Sequence, residues 1–158
     1  MVGMRATFST RRSCYGGGIA SGGALTLVVR GNSAAFAGGI DSSGTLEIAN
    51  SEFVGNHDVY RAGAVYNAGS MSVSRSLFTG NLHGAISNTW QGGVTIAASN
   101  FSVNVGGGIV HFGNLLTVSH STFTSNDGIA ISVSCDCNLV LLNDRARFWD
   151  TLVNSTCV

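Results

Sequence analysis

The sequence predicts an all-β chain: a right-handed parallel β-helix of about six coils, 21–25 residues each. Three recurring units carry that reading. A Phe-x-x-Asn tetrad returns at Phe53–Asn56, Phe78–Asn81, Phe101–Asn104 and Phe123–Asn126. A Gly-rich unit ending in an aliphatic residue alternates with it, and an apolar-polar-apolar triplet lies between them. A period in the twenties marks a solenoid, in which no coil buries its inward residues alone and each shields its neighbours.

In chain order, the first unit of each coil supplies Ile19, Ile40, Val65, Ile86, Ile109, and Ile129 or Ile131. The second supplies Leu25-Thr26-Leu27, Leu46-Glu47-Ile48, Met71-Ser72-Val73, Val94-Thr95-Ile96, Leu116-Thr117-Val118 and Leu139-Val140-Leu141, with steps of 21, 25, 23, 22 and 23 residues. Period-two alternation turns the apolar pair of each triplet inward and its central residue outward. The third unit is Ser-x-Phe, from Ser51/Phe53 to Ser121/Phe123, with Phe8 and Phe148 as degenerate copies and Val29 standing where a Phe is expected. Stacked at about 4.8 Å, like residues then form ladders. Phe53, Phe78, Phe101 and Phe123 make one, and Asn56, Asn81, Asn104 and Asn126 another. Asn suits a bend because its side chain bonds nearby backbone and it tolerates left-handed φ.

Composition agrees with one domain spanning residues 1–158 and excludes several function classes. Eight Arg, no Lys and eight acids sum to zero formal charge, which gives no basic stripe for nucleic acid. Twenty-two Gly and no Pro suit short strands joined by tight bends, since Pro would remove a ladder donor. No apolar run reaches the roughly 18 residues of a transmembrane helix. Residues Met1–Arg5 lack the apolar core of an export signal, and neither end carries a cap, so the chain is read as part of a longer protein. Uncapped coils expose unpaired strand edges, and end-to-end self-association is expected.

The alternation of Phe-x-x-Asn with Gly17-Gly18-Ile19, Gly38-Gly39-Ile40, Gly63-Ala64-Val65, Gly84-Ala85-Ile86 and Gly107-Gly108-Ile109 resembles the passenger repeats of the chlamydial polymorphic outer membrane proteins. The likeness runs over about residues 8 to 131. It implies an extracellular or outer-membrane-surface β-helix that adheres to a host or neighbouring surface through protein or glycan contacts. The alternative is a glycan-binding or polysaccharide-active module of the pectin-lyase-like kind.

Polysaccharide chemistry needs paired carboxylates on adjacent coils. The acids Asp41, Glu47, Glu52, Asp58, Asp127, Asp136, Asp144 and Asp150 form no such ladder: Asp41 aligns with Tyr66 and Ser87, Glu47 with Thr26 and Ser72, Glu52 with Leu77. They are read as solvated surface, and no enzyme activity and no cofactor are expected. His57 and His83 follow tetrads on neighbouring coils and can approach each other, but no third ligand or supporting shell is visible, so they are read as loop histidines. His111 and His120 make no stronger case. Thr26, Ser72, Thr95 and Thr117 make an outward hydroxyl row of the kind that β-propensity alone favours. Tyr60, Tyr66 and Trp90 lie in the bends that vary in length and are the expected partner-contact residues. Cys157 falls 22 residues after Cys135, one coil later, which predicts a disulfide between them, with Cys137 as the second choice. The sequons at Asn100 and Asn154 matter only in a eukaryotic secretory route.

Overall fold

Short strands separated by bends stack in parallel, one turn of the chain on the next. A computed structural model describes residues 5–9, 12–13, 26–30, 33–34, 38–42, 44–60, 62–89, 92–134, 138–142, 147–148 and 153–156. These form a parallel β-solenoid of about four turns, with no helix among the described residues.

Every strand pairing in it is parallel and joins successive coils. The first sheet stacks Ile40–Ser42, Val65–Asn67, Ile86–Asn88, Ile109–His111, Ile131–Ser134 and Val153–Thr156. The second stacks Leu46–Ala49, Met71–Ser74, Val94–Ala97, Leu115–Ser119 and Asn138–Leu142. The third runs Arg5–Ser9, Thr26–Arg30, Glu52–Val54, Leu77–Thr79, Asn100–Ser102, Thr122–Thr124 and Arg147–Phe148. Arg12–Ser13 pairs separately with Ser33–Ala34.

The registers are those the repeats predict from Ile40 onward: Ile86 opposite Ile109, Phe78 opposite Phe101, Val94 opposite Leu116. The end copies also fall in place, with Phe8 opposite Val29, Val29 opposite Phe53, and Phe123 opposite Phe148. One prediction fails. Thr26 and Leu27 do not join the triplet sheet; their strand continues through Val28 to Arg30 and pairs in the Phe sheet. An unbroken five-residue strand, Thr26-Leu27-Val28-Val29-Arg30, has no bend between triplet and Phe position, so both fall on one side of the coil. Thr26 therefore leaves the hydroxyl row.

Inside the coils, the four Phe rings are fully buried and stack face to face at 4.7–4.8 Å, tilted by 1–3°. Ile40, Val65, Ile86, Ile109 and the inward triplet residues from Leu46 to Val118 complete one continuous apolar core, whereas Leu141 of the last triplet is exposed rather than inward. Burying a side chain of this size contributes about 1.5–3 kcal/mol.

Two bends per coil explain how so few residues turn the chain. Before each buried Ser stands a residue in the left-handed region: Asn50, Arg75, Ala98 and His120, with φ 48–51°. Before each tetrad Asn stands Gly55, Gly80, Val103 or Ser125, with φ 54–64°. A glycine requirement of a different kind opens the Gly-rich unit: a β-carbon on Gly63 would lie 2.3 Å from Leu82 O on the next coil. Backbone packs on backbone there, which only Gly permits.

Candidate functional site

Which residues hold the coils together, and which face outward, follows from the hydrogen bonds of the bends. Along the Asn ladder, the N–H and Nδ2 of Asn81 both donate to Asn104 Oδ1, at 3.1 and 2.9 Å. Asn104 repeats this onto Asn126 Oδ1 (3.1 and 2.9 Å), and Asn56 makes the same pair onto Asn81 (3.0 Å each). The same Nδ2 groups reach back to Phe carbonyls: Asn81 to Phe53 O, Asn104 to Phe78 O, Asn126 to Phe101 O, at 3.0–3.1 Å. The Ser ladder works alike. Ser76 Oγ accepts from Ser51 N–H (3.1 Å) and donates to Ser74 O (2.8 Å), and Ser99 and Ser121 follow suit. Both ladders leave bend groups satisfied although buried, which is what an interior polar atom needs.

A third inward row was not foreseen. Ser42, Asn67, Asn88, His111 and Val133 stand in register, two residues after the aliphatic of each Gly-rich unit, and all are buried. Applying the period-two rule to Ile86-Ser87-Asn88 and Ile109-Val110-His111 would have placed them inward. The Asn88 amide suits its surroundings with its nitrogen toward Asn67 O (3.1 Å) and Gly69 O (3.0 Å). That turns its oxygen toward His111 Nδ1 at 3.3 Å. Asn67 Oδ1 and His111 Nε2 lack partners among the described residues. Desolvation lowers the His111 pKa from 6.5 to about 4, so the imidazole is neutral at pH 7.

Of the described acids, Glu47 and Asp127 are exposed, as a solvated surface requires, whereas Asp41 and Glu52 are half-buried. Asp41 is opposite Tyr66, Glu47 opposite Ser72, and Glu52 opposite Leu77, so no carboxylate ladder forms among the described residues. Asp58, however, is not solvated surface: it is fully buried beneath the next bend, where His83 Nδ1 lies 3.5 Å from its Oδ1 and contacts its main-chain carbonyl. Asp136, Asp144 and Asp150 lie outside the described residues. His57 and His83 do approach, with ring centroids 5.8 Å apart.

The outward hydroxyl row is Ser72, Thr95 and Thr117, preceded by Glu47 and followed by Val140. Of the expected contact residues, Tyr60 is 71% exposed; Tyr66 lies not in a bend but in the strand Val65–Asn67, half-buried, with its hydroxyl 3.0 Å from Thr89 Oγ1. Trp90 lies outside the described residues, as do Cys135, Cys137 and Cys157. Strand pairing up to Ser134 opposite Thr156 keeps the 22-residue offset on which the cysteine prediction rested. Two clusters of surface groups stand out. Val59, Tyr60, Leu82 and Val105 are exposed along the edge that follows the Asn ladder. On another edge, Asn50, Glu52, Arg75, Leu77 and Asn100 border an open groove of about 500 Å³, with Arg75 Nε donating to Asn50 Oδ1 at 2.8 Å.

No protein-family profile, curated protein or solved structure matches this chain. No helix among the described residues is long and apolar enough to cross a membrane.

Proposed function

We propose that the chain is a structural, surface-displayed solenoid that mediates attachment to a host or neighbouring surface, as the polymorphic outer membrane protein repeats do. In this reading it is a right-handed β-helix of about six coils, exported and extracellular. One observation supports it above the others. The Phe, Ser and Asn ladders repeat one residue coil after coil, while the edge after the Asn ladder reads His57, Leu82, Val105 and Asp127 in register and exposes the apolar Val59, Tyr60, Leu82 and Val105. A uniform core with a variable exposed edge is the division expected of a scaffold that presents contact residues.

The test is adhesion of the purified chain, on beads, to eukaryotic cells. Wild type should bind above an unrelated β-solenoid, and a Tyr60→Ala/Leu82→Ser variant with unchanged circular dichroism should lose at least about tenfold of that binding, as loss of an aromatic hot spot does. Binding no better than the control would contradict the reading. A second reading, glycan binding, draws on the groove, whose guanidinium, amides and carboxylate suit sugar hydroxyls. A glycan array on which signal disappears with Arg75→Ala and persists in the Tyr60→Ala/Leu82→Ser variant would favour it.

A further inference from the structure

Stacking brings together at the bend after the tetrad three groups that are spread over two coils. His57 pairs with Leu82 by a parallel bridge, so Asp58 and His83, the next residue on each coil, are neighbours too. The His83 Nδ1 faces only acceptors, the Asp58 carbonyl and its carboxylate at 3.5 Å, and therefore carries the proton. That leaves Nε2 as the nitrogen with a lone pair, on a ring that is 53% exposed. The carboxylate behind it is fully buried and so fixed in place. A carboxylate–imidazole pair of this kind is how proteins orient and strengthen a histidine ligand. On the same surface the His57 ring lies 5.8 Å away, centre to centre. Two imidazoles sharing one ion, with metal–nitrogen bonds of about 2.0–2.1 Å, hold their ring centres about 5–6 Å apart. On the far side of His83 the next coil places Gly106, where a β-carbon would meet the His83 backbone at 3.1 Å, so no side chain from that residue covers the ring.

We propose that His57, half-buried, and His83, exposed, form a two-imidazole site for a late first-row divalent ion, Ni²⁺, Cu²⁺ or Zn²⁺, with Asp58 as the positioning residue behind His83. No third His, Cys, Asp or Glu joins them among the described residues, so water completes the coordination and the ion exchanges freely. Imidazole suits these three ions and carboxylate-preferring Mg²⁺ or Ca²⁺ does not compete. Because its two ligands sit on successive coils, a bound ion clips one coil to the next.

The probe is Ni²⁺, added to thiol-alkylated protein and followed by histidine ring signals in NMR. The signals of His57 and His83 should broaden together at the lowest ion concentrations, before those of His111 and His120. His57→Ala and His83→Asn should each weaken binding at least about tenfold. Asn is chosen at His83 because φ there is 66° and Asn tolerates the left-handed region. Asp58→Asn should weaken Ni²⁺ binding by about 10–100-fold while the same two rings still respond. The proposal is overturned if another histidine responds first, or if affinity is unchanged in the His57→Ala/His83→Asn double variant. Should Asp58→Asn fail to fold, the two surface variants decide.

Discussion

Two inward corners of the same coils are built on different rules. At the Asn corner the residue is identical on each of four coils, and the two central amides, Asn81 and Asn104, each donate to one copy and accept from another. At the corner after the Gly-rich unit the row reads Ser42, Asn67, Asn88, His111, Val133, and two of its polar atoms lack partners among the described residues. Repetition of one bifunctional side chain solves burial once for all coils. A mixed row must solve it afresh at each step, and leaves orphan atoms whose desolvation costs about 1–3 kcal/mol each. The uniform corner therefore supplies stability, and the mixed one concentrates the chain's sensitivity to conditions.

The largest effect should come from the uniform side. Phe101→Ala removes a fully buried ring stacked on both faces and should destabilise by about 3–5 kcal/mol in denaturant titration. Asn104→Ala strands the Asn81 N–H and the Phe78 carbonyl together, for a loss of about 2–4 kcal/mol by the same measurement. A loss below 1 kcal/mol in either would erase the contrast between corners.

The mixed side should respond to acid. The His111 pKa is about 4 folded and 6.5 unfolded, so between these values the unfolded chain binds the extra proton. This contribution is intact above pH 6.5 and is lost as pH falls toward 4, to a limit of about 3 kcal/mol. His111→Asn, which copies the Asn88 side chain one coil earlier, should flatten that slope relative to wild type. An unchanged slope would show that the ring is not shut away from water. The smallest effect concerns a bend. Val103 holds φ 57° where Gly55 and Gly80 stand on earlier coils, so Val103→Gly should stabilise by about 0.5–1 kcal/mol.

The same contrast explains what could be read from the sequence. The Phe, Ser and Asn ladders were legible because identity at a fixed period reveals stacking without any knowledge of angles. The mixed row was illegible to that method: Asn67, Asn88 and His111 share a place in the coil but not a residue type. The proximity of His57 and His83 was legible from their place after the tetrads. The burial of Asp58 was not, since a carboxylate in a bend of variable length reads as solvated until the next bend is seen to cover it. The Thr26–Arg30 strand was misplaced because Leu25-Thr26-Leu27 satisfies the triplet pattern, and the pattern does not encode where the bend falls.

Coil-on-coil stacking in this register is the claim beneath all others, and a double-mutant cycle on Phe78→Leu and Phe101→Leu tests it most directly. Rings stacked at 4.8 Å should show a coupling of about 0.5–1.5 kcal/mol. Phe53→Leu with Phe123→Leu, three coils apart, should be additive within about 0.5 kcal/mol. Additivity in the adjacent pair, or equal coupling in the distant one, would contradict the stacked solenoid.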